Sequence, residues 1–343
     1  MYSSTVTEYE EKKNDDRHVE EIVESFKLSK GRALTETPII WENVIGMAAL
    51  HALAIYGFVQ GYRDAKFWTW MWHIGIDLFI GYGITAGAHR LWAHRCYSAK
   101  LPLRLILAFA FCMSAQKRPY SWIRDHRTHH KYTETPADPH NANRGFFFSH
   151  IGWLLVKRHP AVKEYGSKVD MSDIRADPVL EFCDKYFEII MVTSAVVLPV
   201  VVPVYGWGET WFISIFANIL RYIVALHLTF LVNSFAHMWG NRPYNRELRP
   251  TENAIVSFFA LGEGWHNYHH AFPWDYKAAE LGAYGLNTTT GFIDLMARLG
   301  LAYDLKTPEK ELVDRVSLKK GDGTDSYWGH SRHRNVTPTA PVD

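Results

Sequence analysis

Eight of the eighteen histidines in this 343-residue chain fall into three short clusters: His89 and His94, then His126, His129 and His130, then His266, His269 and His270. On a helix, residues three and four apart are neighbours, roughly 5–6 Å from each other, so the second and third clusters each put three imidazoles on one helical face. Neutral imidazole binds iron, copper, nickel and zinc. Eight such rings exceed the four positions of a closed zinc site, which makes two metal ions the economical count and a dinuclear centre the expectation. Burying that much ring nitrogen without a metal would be costly. His18, His51, His73, His140, His150, His159, His227, His330 and His333 are scattered singly and are read as ordinary structural or surface residues. The cysteines, Cys96, Cys112 and Cys183, lack the number and spacing of a disulfide framework or a zinc knuckle.

The elements that must hold these clusters are apolar. Residues 43–62 carry no charge, a run long enough at 1.5 Å per residue to cross a hydrocarbon core of about 30 Å. Residues 67–88 make a second run, opened by Trp68, Trp70 and Trp72 as at a membrane interface. Residues 189–205 make a third, in which Pro199 and Pro203 should produce a kink, and residues 211–235 make a fourth. Four spans in two hairpins follow, and Leu101–Ala115, short for a span, reads as interfacial or buried. The stretch 89–185 holds sixteen Lys and Arg against nine Asp and Glu, and the hairpin turns hold almost none. The positive-inside rule therefore puts that stretch and both termini in the cytosol. Residues 1–38, with nine acids and six bases, read as a mobile arm without a secretory signal. Residues 39–319 form the folded domain, and residues 320–343 read as a disordered tail. Across the chain 37 basic residues face 36 acidic ones, so no global field attracts nucleic acid, and 50 aromatics among 343 residues suit a membrane.

The strings HRLWAH at 89–94, HRTHH at 126–130 and GEGWHNYHH at 262–270 resemble the three histidine boxes of the membrane acyl-CoA desaturases, the stearoyl-CoA Δ9-desaturase family and its insect relatives. The resemblance runs over roughly residues 38–320. It implies an all-α integral membrane fold in which four transmembrane helices carry a cytosolic helical cap. It also implies a centre of two iron ions (Fe2+) held by nine histidines and, through water, one asparagine, with O2 as co-substrate. The ligands would be His89, His94, His126, His129, His130, His237, His266, His269 and His270, with Asn233 acting through water. Thr229, Asn233 and His237 are spaced by four and share one face of the last span. Asp125, Glu134, Asp138 and Glu263 stand beside the boxes, where carboxylates often accept the second N–H of a ligating imidazole.

The same resemblance implies a long-chain acyl-CoA substrate. Gln116, Trp122 and Thr229 would shape a bend in the acyl tunnel, and Arg124, Lys157 and Arg158, with Asp125 beside them, would meet the CoA group. Lys117 and Arg118 depart from the vertebrate pattern and are further phosphate candidates. Asp77 and Gly81 lie twelve and eight residues before His89, roughly 18 Å and 12 Å below the metals at the far end of the tunnel. An acid in mid-span is expensive unless paired, and Arg221 lies at a similar depth in the last span, so an Asp77–Arg221 pair is expected to close the floor. Neither a fused haem-binding motif nor a G-x-G-x-x-G string is present. Electrons must then come from outside, and the resemblance implies cytochrome b5 and NADH-cytochrome b5 reductase in the endoplasmic reticulum membrane. Two rivals are a histidine-box membrane hydroxylase and, from another class, a zinc-binding membrane receptor or transporter. The string Arg249-Pro250-Thr251-Glu252 matches no specificity class, so the bond position stays open beyond a Δ9 expectation on C16–C18 chains.

Overall fold

In the computed structural model, which describes residues 37–61, 63–280 and 284–324, the apolar runs become long helices. Trp41–Gly61 forms α1 and Phe67–Tyr82 forms α2, which continues directly into a π-wound segment, Gly83–Ala93. Leu101–Cys112 is α3 and Pro119–Lys131 is α4. Short helices follow: α5 (Phe146–His150), α6 (Pro160–Gly166) and α7 (Pro178–Lys185). The helix Phe187–Trp207 is α8, and Trp211–Met238 is α9. Ala254–Phe259 (α10), His266–Ala271 (α11), Thr288–Arg298 (α12) and Lys310–Lys320 (α13) complete the helices that matter here. The proposed arm and tail, apart from residues 37, 38 and 320–324, lie outside the described residues, as do His18, His330 and His333.

Among the described residues, three helices, α1, α8 and α9, are long and apolar enough to cross a membrane. The remaining expected span, α2, has 16 residues before the π-wound segment continues it, and carries His73 and Asp77 within its apolar run. Both helical hairpin turns lie together, because Glu209 accepts the Lys66 backbone N–H at 2.9 Å and the Thr69 hydroxyl at 2.6 Å. The expected kink in α8 is absorbed by a π-wound turn over Val192–Val197. Pro199 and Pro203 cannot donate to the carbonyls four residues back. Neighbouring helices supply the missing donors: Asn218 Nδ2 reaches Ala195 O at 3.0 Å, and Trp72 Nε1 reaches Pro199 O at 3.3 Å.

Helix α3 buries Leu103, Leu107 and Phe111 and exposes Leu101, Leu105, Ile106 and Phe109, as an interfacial helix should. It packs on the π-wound segment so closely that a Cβ at Gly83 would stand 2.5 Å from Phe111 N, a backbone atom that cannot yield. Every residue of Gly83–Ala93 is buried. The chain before α1 pairs with the chain after α5, where Ile40 N donates to Leu155 O and Lys157 N donates to Pro38 O. A two-residue antiparallel pair, Ser98–Ala99 with Ala302–Tyr303, ties the end of the first box to the C-terminal helices.

Candidate metal centre

The π-winding decides the first cluster. Five residues separate His89 from His94, and on an α-helix that spacing would point them about 140° apart. In the π-wound segment the bond runs from i to i+5, His94 N donates to His89 O at 3.0 Å, and the two rings come to 4.8 Å between centroids. Helix α4 then brings its own imidazoles against them, with His94 Nε2 2.7 Å from His126 Nε2.

Nine imidazoles converge in two groups. His89, His94, His126, His130 and His269 form one, and His129, His237, His266 and His270 form the other, with ligand atoms in each within 4.8 Å of one another. The second and third clusters therefore do not act as faces of three. In each, the i and i+4 rings serve one group and the i+3 ring serves the other: His126 and His130 stand 4.7 Å apart by centroid, and His129 is turned away at 6.2 Å from His126. His266 and His270 stand at 4.6 Å, with His269 crossing to the five-membered group. The cause is tertiary, since α4 and α11 face each other across the site and each inserts its i+3 ring into the group centred on its partner.

Carboxylates orient three of the rings. Glu263 Oε2 lies 2.9 Å from His89 Nδ1, Asp138 Oδ1 lies 2.8 Å from His129 Nδ1, and Glu134 Oε1 lies 2.8 Å from His237 Nδ1. Asp138 and Glu134 hold the ring proton on Nδ1 and turn a bare Nε2 lone pair to the interior, and Glu263 stands beside His89 as a close charge. Asp125 departs from this expectation: it binds Lys117 at 2.9 Å, Arg124 at 3.0 Å and Arg158 at 2.7 Å instead. Burial acts to raise its carboxyl, but these cations hold it well below the ordinary carboxylate range. Glu263 is likewise opposed by burial, yet Arg90 and His89 bring it down to about 2. His129 is raised because Asp138 and Glu134 outweigh burial. Burial and mutual repulsion lower His126, His130, His266, His269 and His270 well below the usual imidazole value, which keeps them neutral and able to bind metal.

The donor chemistry fits transition metal ions. His269 Nε2 sits 3.0 Å from His89 Nε2 and 3.1 Å from His130 Nε2, and His266 Nε2 sits 3.0 Å from His237 Nε2 and 3.2 Å from His270 Nε2. One ring proton cannot satisfy two facing nitrogens, so these are converging lone pairs that a cation would fill. Neither group holds a thiolate, and the group of five exceeds the four positions of a closed tetrahedral zinc site.

Two residues that the motifs alone did not single out build the frame. Arg90 is fully buried and donates to Glu263, Tyr276 O, Lys277 O, Thr290 and Asn287, binding the first box to the third and to α12. Arg127 donates to Trp92 O and Ala93 O and reaches Asp173, closing the end of the π-wound segment against α4. Their only signal in the sequence is a charged residue directly beside a ligating histidine.

A cavity of about 330 Å³ opens on His126 and is lined by Gln116, Trp122, Thr229 and Asn233. Trp122 Nε1 donates to Gln116 Oε1 at 3.2 Å, Gln116 Nε2 donates to Thr229 at 3.1 Å, and the Trp122 ring stacks on His126 at 5.2 Å. Thr229 also lines a second cavity of about 220 Å³, with Asp77, Gly81, Leu261 and Glu263. Arg221 NH1 donates to Asp77 Oδ1 at 3.0 Å, the pairing expected from depth alone. Lys117 and Asp125 line the first cavity at the end where Arg124 and Arg158 gather; Lys157 borders a small side cavity next to Arg158. Arg118 is elsewhere, bound to Asp184 O and Glu188, so its proposed phosphate contact is not supported. Among the scattered histidines, His140 lines the first cavity, and His51, His227 and His150 form a hydrogen-bonded row at 2.8 Å spacings.

Residues 67–280 match the fatty acid desaturase family. The chain is 50% identical over 308 residues to an acyl-CoA Delta-9 desaturase of Acheta domesticus, covering 90% of this chain and 86% of that one. It is 51% identical over 285 residues to a stearoyl-CoA desaturase of Homo sapiens, covering 83% and 79%. It is 49% identical over 291 residues to an acyl-CoA Delta(11) desaturase of Spodoptera littoralis, covering 85% and 86%.

Proposed function

The chain belongs to the fatty acid desaturase family and is an acyl-CoA desaturase, and we propose that it places a Δ9 double bond in saturated C16–C18 acyl-CoA at a centre of two iron ions. The observation that carries this reading is the pair of imidazole groups opening, through His126, onto a cavity whose lining residue Thr229 also lines a second, deeper one. In the balanced reaction –CH2–CH2– becomes –CH=CH–, and O2 with two electrons and two protons becomes two waters. The iron pair would supply the oxidant for an unactivated methylene. The nine histidines would hold it, with Asn233, one turn before His237 on α9, completing the four-membered group through water.

The protein's part is placement. The Trp122–Gln116–Thr229 hydrogen bonds fix the wall where the chain bends, and the Asp77–Arg221 pair and Gly81 form the floor of the second cavity. Arg124, Lys157 and Arg158 meet the CoA phosphates, with Asp125 holding two of these three in place. Electrons come from cytochrome b5 and its NADH-dependent reductase. The protein crosses the endoplasmic reticulum membrane four times, with α2 beside the three long apolar helices, both termini in the cytosol, and the histidines in a cytosolic cap. The test is expression in desaturase-deficient yeast, with fatty acids separated by gas chromatography and double bonds located by mass spectrometry. A Δ9 monoene that vanishes in His269→Ala supports the reading; a monoene elsewhere corrects the bond position, and hydroxylated acids overturn desaturation.

A further inference from the structure

The short stretch 251–253, which overlaps the string that matched no specificity class, contacts the end of α9, helix α11 and helix α10 at once. Thr251 N and Oγ1 both donate to Ala236 O, at 2.6 and 3.0 Å, next to the ligand His237 at the end of α9. Thr251 O accepts His266 N at 3.2 Å, and Glu252 Oε1 accepts Tyr268 N at 2.7 Å. Tyr268 is the third residue of α11, whose leading Trp265 makes no side-chain cap, so Glu252 supplies the acceptor that the helix lacks. A six-residue helix does not hold its own direction; Glu252, buried at 8% exposure, holds it by hydrogen bond. Asn253 caps α10 through Ile255 N and Val256 N, both 3.1 Å from Oδ1, while its Nδ2 donates to Trp239 O at 2.8 Å. Helix α10 ends in Phe259, and Phe259, Ala260 and Leu261 are wall residues of the second cavity, opposite Gly81. One stretch therefore ties the α9 metal ligand, the three imidazoles of α11 and the cavity wall into a single frame.

We propose that Thr251, Glu252 and Asn253 set the register between the acyl chain and the metal groups, with Glu252 and Asn253 as positioning residues that determine which carbon pair is oxidised. The inference rests on the reading that the two cavities lined by Thr229 hold the acyl chain. Reaction geometry tolerates little slip between wall and metals, since a misplacement of about 1 Å can cost about a hundredfold in rate. The experiment compares wild type, Glu252→Gln, Glu252→Ala and Asn253→Ala, expressed in desaturase-deficient yeast and purified, by double-bond location and by iron per chain. Glu252→Gln keeps an acceptor for Tyr268 N and retains the wild-type bond position. Glu252→Ala and Asn253→Ala spread the product over neighbouring positions, with the wild-type isomer's excess falling about tenfold, and Asn253→Ala does so at unchanged iron content. Reduced yield with an unchanged bond position in both alanine variants overturns the proposal. If Glu252→Ala is not recovered folded, Asn253→Ala decides alone. A wild-type chain that binds iron but forms no monoene overturns instead the reading of the cavity, and this inference with it.

Discussion

Replacing Asp77 by leucine strands a buried guanidinium between helices. Arg221 has a side chain only 3% exposed; its NH1 is bound to Asp77 and its Nε to Asn218 Oδ1 at 2.9 Å. Asn218 in turn holds Ala195 O, the carbonyl that Pro199 leaves free, so the pair anchors a link across α2, α9 and α8. Breaking a buried pair by removing one partner costs about 3–5 kcal/mol, whereas replacing both partners with apolar residues is often neutral. For a domain of this size that corresponds to a fall of roughly 5–8 °C in Tm for Asp77→Leu. The double variant Asp77→Leu, Arg221→Leu should recover most of the loss, giving a coupling of at least about 2 kcal/mol. The assay is thermal unfolding of the purified enzyme in one detergent, followed by tryptophan fluorescence. A double variant no more stable than Asp77→Leu alone, or a single variant that melts with wild type, would refute the reasoning.

Three further outcomes are expected. His269→Ala removes the ring shared between His89 and His130 and leaves all four imidazoles of the other group, so iron per chain measured by plasma mass spectrometry falls from two toward one and the monoene disappears. Gly81→Leu brings a Cβ to 2.4 Å from Leu261 Cδ1, the end of a flexible side chain that can move aside. The fold survives, the second cavity fills, and gas chromatography shows products shifted to shorter acyl chains. Asp125 is held below its ordinary value, so the stability it contributes is fully present above a pH of about 4 and is lost as pH falls further. Thermal unfolding at successively lower pH therefore shows a decline in wild type that is shallower in Asp125→Asn; identical slopes would contradict the ion-pair assignment.

Much of the site was legible because it is written in local spacing. Histidines three and four apart on short polar stretches announce grouped imidazoles, uncharged runs of about twenty residues announce long apolar helices, and a mid-span acid and base at matching depth announce each other, as Asp77 and Arg221 do. Residues whose direction is set by packing were read less well. Asp125 stands next to a ligand, yet spends its charge on Lys117, Arg124 and Arg158 because α4 turns it toward the cavity. Arg118, adjacent to Lys117, points the opposite way to Glu188. The π-winding of Gly83–Ala93 follows from close packing on α3, and small residues alone do not signal it.

By itself the amino-acid sequence determined that this chain carries helices, apolar runs long enough to cross a membrane and clustered imidazoles, because those properties depend on the backbone repeat and side-chain type within a few residues. Only the tertiary structure decided which rings group together, which carboxylate stands at which ring, and which side chains line the cavities. Those depend on facing helices that meet through contacts such as Arg90 to Glu263 and Glu252 to Tyr268, and a ring nitrogen converges on a common point only when the packing of both helices has fixed its direction.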